Sequence, residues 1–196
     1  MKTMLFLATL AWSACAAAEP IPALKPMAFL AGHCWKGSLG DAGSTDEHCF
    51  AWLYDGKMLR DTHTVHAPGR PDYVGETTYY WDSAGKRVEY LYVENLGGIS
   101  RGTVESVPGA LVFPATQYVE GGAATTYRVR WTIVEDGLYE AWSEAQSTDG
   151  WTTMFRVKMR RMPEEGGHGP CYVRFRTDEL RDVRQYRSCD QVPKRR

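Results

Sequence analysis

Hydrophobic and polar residues alternate along most of this chain, and the alternation is broken at short intervals by glycine-bearing turns. The clearest run, Phe29 to His66, reads as three strands joined by two turns. Asp55-Gly56 marks the second turn, because a type I′ hairpin needs positive φ at both central positions. With those two residues as the loop, Tyr54 faces Lys57, Trp52 faces Leu59, Phe50 faces Asp61 and His48 faces His63. A looser turn over Gly40 to Gly43 places Leu39 opposite Ser44, Trp35 opposite His48 and Cys34 opposite Cys49. Trp35, His48, Phe50 and Trp52 therefore share a face that should point inward, while Cys34, Lys36, Ser38, Cys49, Ala51 and Leu53 point outward.

The same pattern continues. Strands are predicted over Asp72 to Trp81, Arg87 to Glu94, Ile99 to Ser106 and Ala110 to Phe113, with Pro114 to Gly122 as a loop. Ala124 to Val134, Leu138 to Gln146 and Trp151 to Met162 then form a meander of hairpins, in which Arg128 faces Glu144 and Arg130 faces Trp142. The faces of these three strands conflict. Tyr127, Val129, Trp131 and Ile133 make one apolar set, yet Trp142 counts onto the side of Phe155, Val157 and Met159, which also asks to be buried. Either a bulge changes the faces between strands, or the inside holds Arg128, Arg130 and Glu144 among aromatic rings as a polar pocket. About eight to ten short, evenly spaced strands point to an all-β fold, an antiparallel meander β-barrel, since closure removes exposed strand edges. A barrel of that size has space for one small ligand.

The flanking segments divide the chain. Lys2, the apolar run Met4 to Trp12 and Ala16-Ala17-Ala18 before Glu19 have the order of a secretory signal peptide over residues 1–18, and the run is too short to span a bilayer. Soluble export to the periplasm or beyond is ranked above lipid anchoring at Cys15, whose neighbourhood Trp12-Ser13-Ala14-Cys15 only loosely resembles a lipoprotein box. Residues 19–28 form an irregular lead-in with Pro20, Pro22 and Pro26, and Ala23 to Leu30 reads as a short helix or turn that plugs one end of the barrel. The barrel domain covers residues 29–162. A Gly-rich linker and a stapled tail with a short helix after Thr177 fill residues 163–196. Beyond the signal remain Cys34, Cys49, Cys171 and Cys189, an even number suited to disulfides in an exported chain. Of three pairings, the hairpin register favours Cys34 with Cys49, and Cys171 with Cys189 follows by elimination. A zinc site is the rival reading, weakened by the lack of any C-x-x-C spacing.

A formal net charge of −1 gives no electrostatic ground for a nucleic-acid partner. Seven Trp, eleven Tyr and nineteen Gly suit half-buried pleated surfaces and turns. No nucleophile elbow, H-E-x-x-H, P-loop or G-x-G-x-x-G occurs, so no catalytic residue is assigned. The sequences FLAGHCWKG, GKMLRDTHTV, YYWDSAGKRV and TYRVRWTIVEDGLYEAWSEAQSTDGWTTMFRVKMRR are similar to the lipocalin-like DUF1579 group of bacterial proteins, over about Phe29 to Met162. That resemblance implies a calycin-like barrel with a ligand cavity and implies no chemistry; the Cys-bearing tail departs from the pattern.

Three constellations stand out. His48 and His63, with Asp46 and Asp61 diagonal to them, have the donor set of a metal or haem-edge site; the simpler alternative is a hydrogen-bonded polar pair in the wall. Arg128 with Glu144 is either an outward salt bridge or, facing inward beside Trp142, a clamp for a ligand carboxylate. The rings of Trp35, Trp52, Tyr79, Tyr90, Tyr92, Trp131 and Trp142 are most simply core, and some line a cavity. The expectation is an exported barrel that carries a small apolar or amphipathic molecule, with Trp35, His48, Trp52, His63, Arg128, Trp142 and Glu144 as ligand-binding residues and no cofactor, haem being the one alternative weighed. The rivals are an isomerase- or hydrolase-like barrel using Asp61 and His63, and an envelope-stress or structural protein whose barrel is filled by its own side chains.

Overall fold

The computed structural model describes residues 19–40 and 43–163. The expected signal peptide, the C-terminal tail with its helix, and the Cys171 and Cys189 pair lie outside the described residues. Ten strands follow one another: β1 Cys34–Ser38, β2 Thr45–Leu53, β3 Met58–His66, β4 Tyr73–Asp82, β5 Arg87–Glu94, β6 Ile99–Val107, β7 Ala110–Glu120, β8 Ala123–Glu135, β9 Leu138–Ser147 and β10 Gly150–Arg161. Each pairs antiparallel with its neighbours in sequence, and β1 meets β10 through Trp35 opposite Arg161 and Lys36 opposite Arg160, so the meander closes into a barrel.

The register of the first three strands follows from their turns. Trp35 lies opposite His48, Cys34 opposite Cys49, and His48 opposite His63. The hairpin loop runs over Tyr54 to Lys57 rather than over two residues alone, with Tyr54, Asp55 and Gly56 at φ of 51°, 56° and 80°. The added residue on each side leaves the pairing sum unchanged. Cys34 and Cys49 are joined by a disulfide across β1 and β2, on the outer face.

One expectation is corrected and one open alternative is decided. Pro114 to Gly122 is no loop: β7 runs on to Glu120, and only Gly121-Gly122 turn the chain. Pro114 is accommodated because the β7–β8 ladder shifts register between Phe113 and Thr116, where the missing N–H breaks no regular pairing. The conflict of faces in the last hairpin is resolved by a bulge between Thr153 and Phe155. Beyond it Val157 lies opposite Ala141 and Met159 opposite Tyr139, all four buried, while Trp142 pairs with Arg156 on the outside.

One end of the barrel is plugged. The lead-in forms a 3-10 helix, Pro22–Met27, whose Leu24 and Met27, with Leu30 after it, are at most 1 % exposed. Ile21 donates its N–H to Gly56 O at 3.1 Å, and the Trp35 indole N–H reaches Leu30 O at 3.2 Å. Around this plug pack Trp35, Phe50, Leu59, Tyr139 and Met159, each nearly free of solvent. The ring edge contacts Phe29–Trp35, Phe29–Tyr139 and Trp35–Tyr139, with centroids 5.1 to 6.1 Å apart, tie helix and wall together.

Candidate functional site

Toward the other end, the inner positions turn polar. On β2 the inward residues run Trp52, Phe50, His48, Asp46, and on β3 they run Leu59, Asp61, His63. Strand alternation places Asp46 and His48 on one face two residues apart, and the ladder sets His63 across from His48 with their rings 4.8 Å apart. His48 bridges two carboxylates: Nδ1 lies 2.8 Å from Asp61 Oδ2 and Nε2 lies 3.2 Å from Asp46 Oδ2. The ring is stacked against Phe50 and meets the edge of Trp131. Burial pushes its pKa down, but the Asp61 charge and the hydrogen bonds to Asp46 and Asp61 outweigh this and raise it to about 10. Charged, His48 donates from both nitrogens. Burial likewise pushes the Asp46 carboxyl up, and the hydrogen bond from His48 together with the nearby imidazole of His63 overcomes this, holding it well below the usual carboxylate range.

His63 is oriented from behind. Its Nε2 shares a hydrogen bond of 3.0 Å with Tyr92 OH, which in turn lies 2.6 Å from Tyr73 OH. Room for the ring comes from Gly75, its partner on β4, where a Cβ would overlap the imidazole and lie 2.8 Å from the Tyr92 ring. Its Nδ1 faces Asp46 Oδ1 at 3.5 Å. Asp46 Oδ1, Asp61 Oδ1 and His63 Nδ1 are buried with no hydrogen-bond partner. At the rim, Tyr118 OH lies 3.0 Å from both Glu94 Oε1 and Glu120 Oε2. A continuous polar chain thus runs from buried Asp61 through His48, Asp46, His63 and Tyr92 to Tyr73 at the mouth.

The predicted residues divide into three groups. His48 and His63 come together with Asp46 as the register requires. Asp61 pairs with His48, so the Asp61–His63 dyad is not formed. Trp35 and Trp52 are buried on the inner wall at the plugged end, away from the mouth. Arg128, Glu144 and Trp142 stand on the outer face: Arg128 Nε donates to Glu144 Oε2 at 2.6 Å and lies over the Trp151 ring, while Trp142 Nε1–H reaches Thr153 Oγ1 at 3.1 Å. An inward carboxylate clamp is excluded by that placement. Sequence reasoning named Tyr92 only as a core or lining ring and missed Tyr73, Tyr118, Glu94 and Glu120; the register His63 to Gly75 to Glu94 across β3, β4 and β5 was the signal that locates them.

Two hollows open to solvent. One of about 420 Å³ lies where β6 and β7 part, since their pairing breaks between Ser100 and Glu105; Ile99, Val119, Ser100, Arg101, Thr116 and Gln117 line it. Ser100 in its lining is 2 % exposed, and the Ser100 hydroxyl accepts from Tyr127 OH at 2.9 Å. Tyr127 OH in turn lies 3.2 Å from Tyr90 OH. The other hollow, about 340 Å³, sits beside the 3-10 helix against β5 and β6. No helix among the described residues is long and apolar enough to cross a membrane.

Set against known proteins, the chain matches no family model, and no curated protein is significantly similar to it in sequence.

Proposed function

We propose that this chain is an exported binding barrel of the lipocalin-like kind that takes a small amphipathic molecule. The observation that carries the reading is the shallow, open hollow of about 420 Å³ between β6 and β7. Its lining is mixed: Ile99 and Val119 offer apolar contact, while Thr116, Gln117 and Arg101 offer hydrogen bonds and a charge. Ser100 in the lining is tied by its hydroxyl to Tyr127. The Cys34–Cys49 disulfide is compatible with an oxidising compartment, which supports export. The plugged half of the barrel is filled with its own rings, so the ligand is small and lies at the wall rather than along the axis.

Native mass spectrometry of the protein purified from a periplasm, beside the same sample after denaturation, tests this. A discrete extra mass that is lost on denaturation, and that is missing from Gln117→Trp, in which an indole fills the hollow, is the expected result. A bare chain mass that no panel of fatty acids, isoprenoids or aromatic acids shifts would refute the carrier role.

A further inference from the structure

We propose that Asp46, His48 and His63 form an inner-wall binding site for one first-row divalent cation of the zinc or cobalt type. Each residue offers a ligand atom within 4.8 Å of the other two. All three project from adjacent strands β2 and β3, so the backbone ladder fixes their spacing.

Each imidazole is already held by its far nitrogen. Asp61 takes Nδ1 of His48 at 2.8 Å, and Tyr92 takes Nε2 of His63 at 3.0 Å, so His48 Nε2 and His63 Nδ1 are both aimed at Asp46. That is the outer-shell arrangement which orients metal-binding histidines. The near contacts, 3.2 Å from His48 Nε2 to Asp46 Oδ2 and 3.5 Å from His63 Nδ1 to Asp46 Oδ1, bracket the ligand-to-ligand edge of about 3.3 Å that tetrahedral bonds of roughly 2 Å give.

Two of those atoms have no other use. Asp46 Oδ1 and His63 Nδ1 are buried and face only each other, 3.5 Å apart and short of a hydrogen bond, and Asp46 is only 7 % exposed. Buried polar atoms left so cost about 1–3 kcal/mol each, and an ion between them would satisfy both. On binding, the ion takes the place of the His48 Nε2 proton, which leaves to solvent.

The donor set, two imidazoles and a carboxylate, suits zinc, cobalt or iron(II) rather than calcium or magnesium. Three protein ligands leave a position open for water or a ligand donor. Among the described residues, the other convergent donor group, Cys34, Glu47 and Cys49, has both thiols consumed by the disulfide.

The test is a titration of the untagged, oxidised, chelator-stripped full chain with Co²⁺, followed by visible absorption and calorimetry. One equivalent binding with a d–d band is expected, with affinity at least tenfold weaker in Asp46→Asn and His63→Gln, about tenfold weaker in Tyr92→Phe, and unchanged in His33→Gln and His66→Gln. Paramagnetic broadening of the His48 and His63 ring resonances of the unmutated protein, with His33 and His66 left sharp, reports the same site without any variant. Absence of a d–d band, undiminished binding in folded His63→Gln, or broadening confined to other histidines overturns the site. The titration requires no organic ligand, so its failure leaves the carrier reading intact, and a bare mass in that experiment leaves the metal site intact.

Discussion

The two ends of this barrel are built from the same ten strands, yet they differ in what fills them. At the plugged end Trp35, Phe50, Leu59, Tyr139 and Met159 close around Leu24, Met27 and Leu30. At the open end the inner wall carries Asp46, His48, His63, Tyr73, Tyr92 and Tyr118, joined in hydrogen bonds and partly unsatisfied. The change occurs within single strands, between Phe50 and His48 on β2 and between Leu59 and Asp61 on β3. Apolar burial is the larger stabilising term per side chain, and buried polar groups give back part of it unless paired. Stability therefore resides at one end, and the other is free to hold chemistry.

The largest effect is expected at the plug. Trp35 is 1 % exposed, meets Phe29 and Tyr139 edge-on and donates to Leu30 O, so Trp35→Ala leaves a cavity and an unpaired carbonyl. Its cost should be about 3–5 kcal/mol, read as a drop in urea midpoint at unchanged slope. A loss under about 1 kcal/mol would mean that the plug is not what holds this end.

Next comes the staple. Cys34 and Cys49 are 15 residues apart, and a closed loop of that length is worth about 3 kcal/mol in the chain-entropy model. Unfolding with and without reductant should differ by that order, and equally in Cys34→Ser with Cys49→Ser. An unchanged midpoint would assign the hairpin's stability to the ladder alone.

The open end should reveal itself in pH. The folded pKa of His48 is raised from 6.5 to about 10, so its contribution is fully present below pH 6.5 and is lost as pH rises through about 10. The folded pKa of Asp46 is lowered, so its contribution is present above the unfolded value of 3.8 and is lost as pH falls below it. Maximal stability from the pair lies between roughly pH 4 and 6.5, and stability should fall steadily along the alkaline limb between pH 6.5 and about 10. His48→Gln should flatten that limb, while His66→Gln, whose pair with Asp72 is exposed, should not. A limb that survives in His48→Gln would place the titrating group elsewhere.

How much of this was legible depends on how far each inference had to cross the barrel. With strict alternation, Asp55-Gly56 sufficed to pair His48 with His63 and the Gly40 to Gly43 turn to pair Cys34 with Cys49, because a hairpin register needs only its own turn. The faces of β9 and β10 were not decidable, since one extra residue between Thr153 and Phe155 moves every later side chain to the other side and no composition marks it. β7 was cut short because Pro114 reads as a terminator, although a bulge makes it harmless. Trp35 and Trp52 were legible as inward but not by depth, which depends on the end that the 3-10 helix closes. The tyrosines behind His63 needed barrel curvature, which brings Tyr92 of β5 over Gly75 to a ring two strands away.

The smallest effect belongs to the outer wall, and it sharpens the contrast between the ends. Arg128 pairs with Glu144 at 2.6 Å and lies 4.3 Å over the Trp151 ring, but its side chain is 44 % exposed, so solvent screens the pair and little packing is lost with it. Arg128→Ala should cost no more than about 1 kcal/mol, and most of that should vanish in high salt, since surface charges are screened within about 10 Å at 0.1 M. Co²⁺ affinity should not change, because the pair faces away from Asp46, His48 and His63 across the thickness of the sheet. A loss of several kcal/mol, or a change in metal affinity, would mean that the outer face of β8 and β9 communicates with the interior, and the division of labour along the barrel axis would then need a second division through its wall.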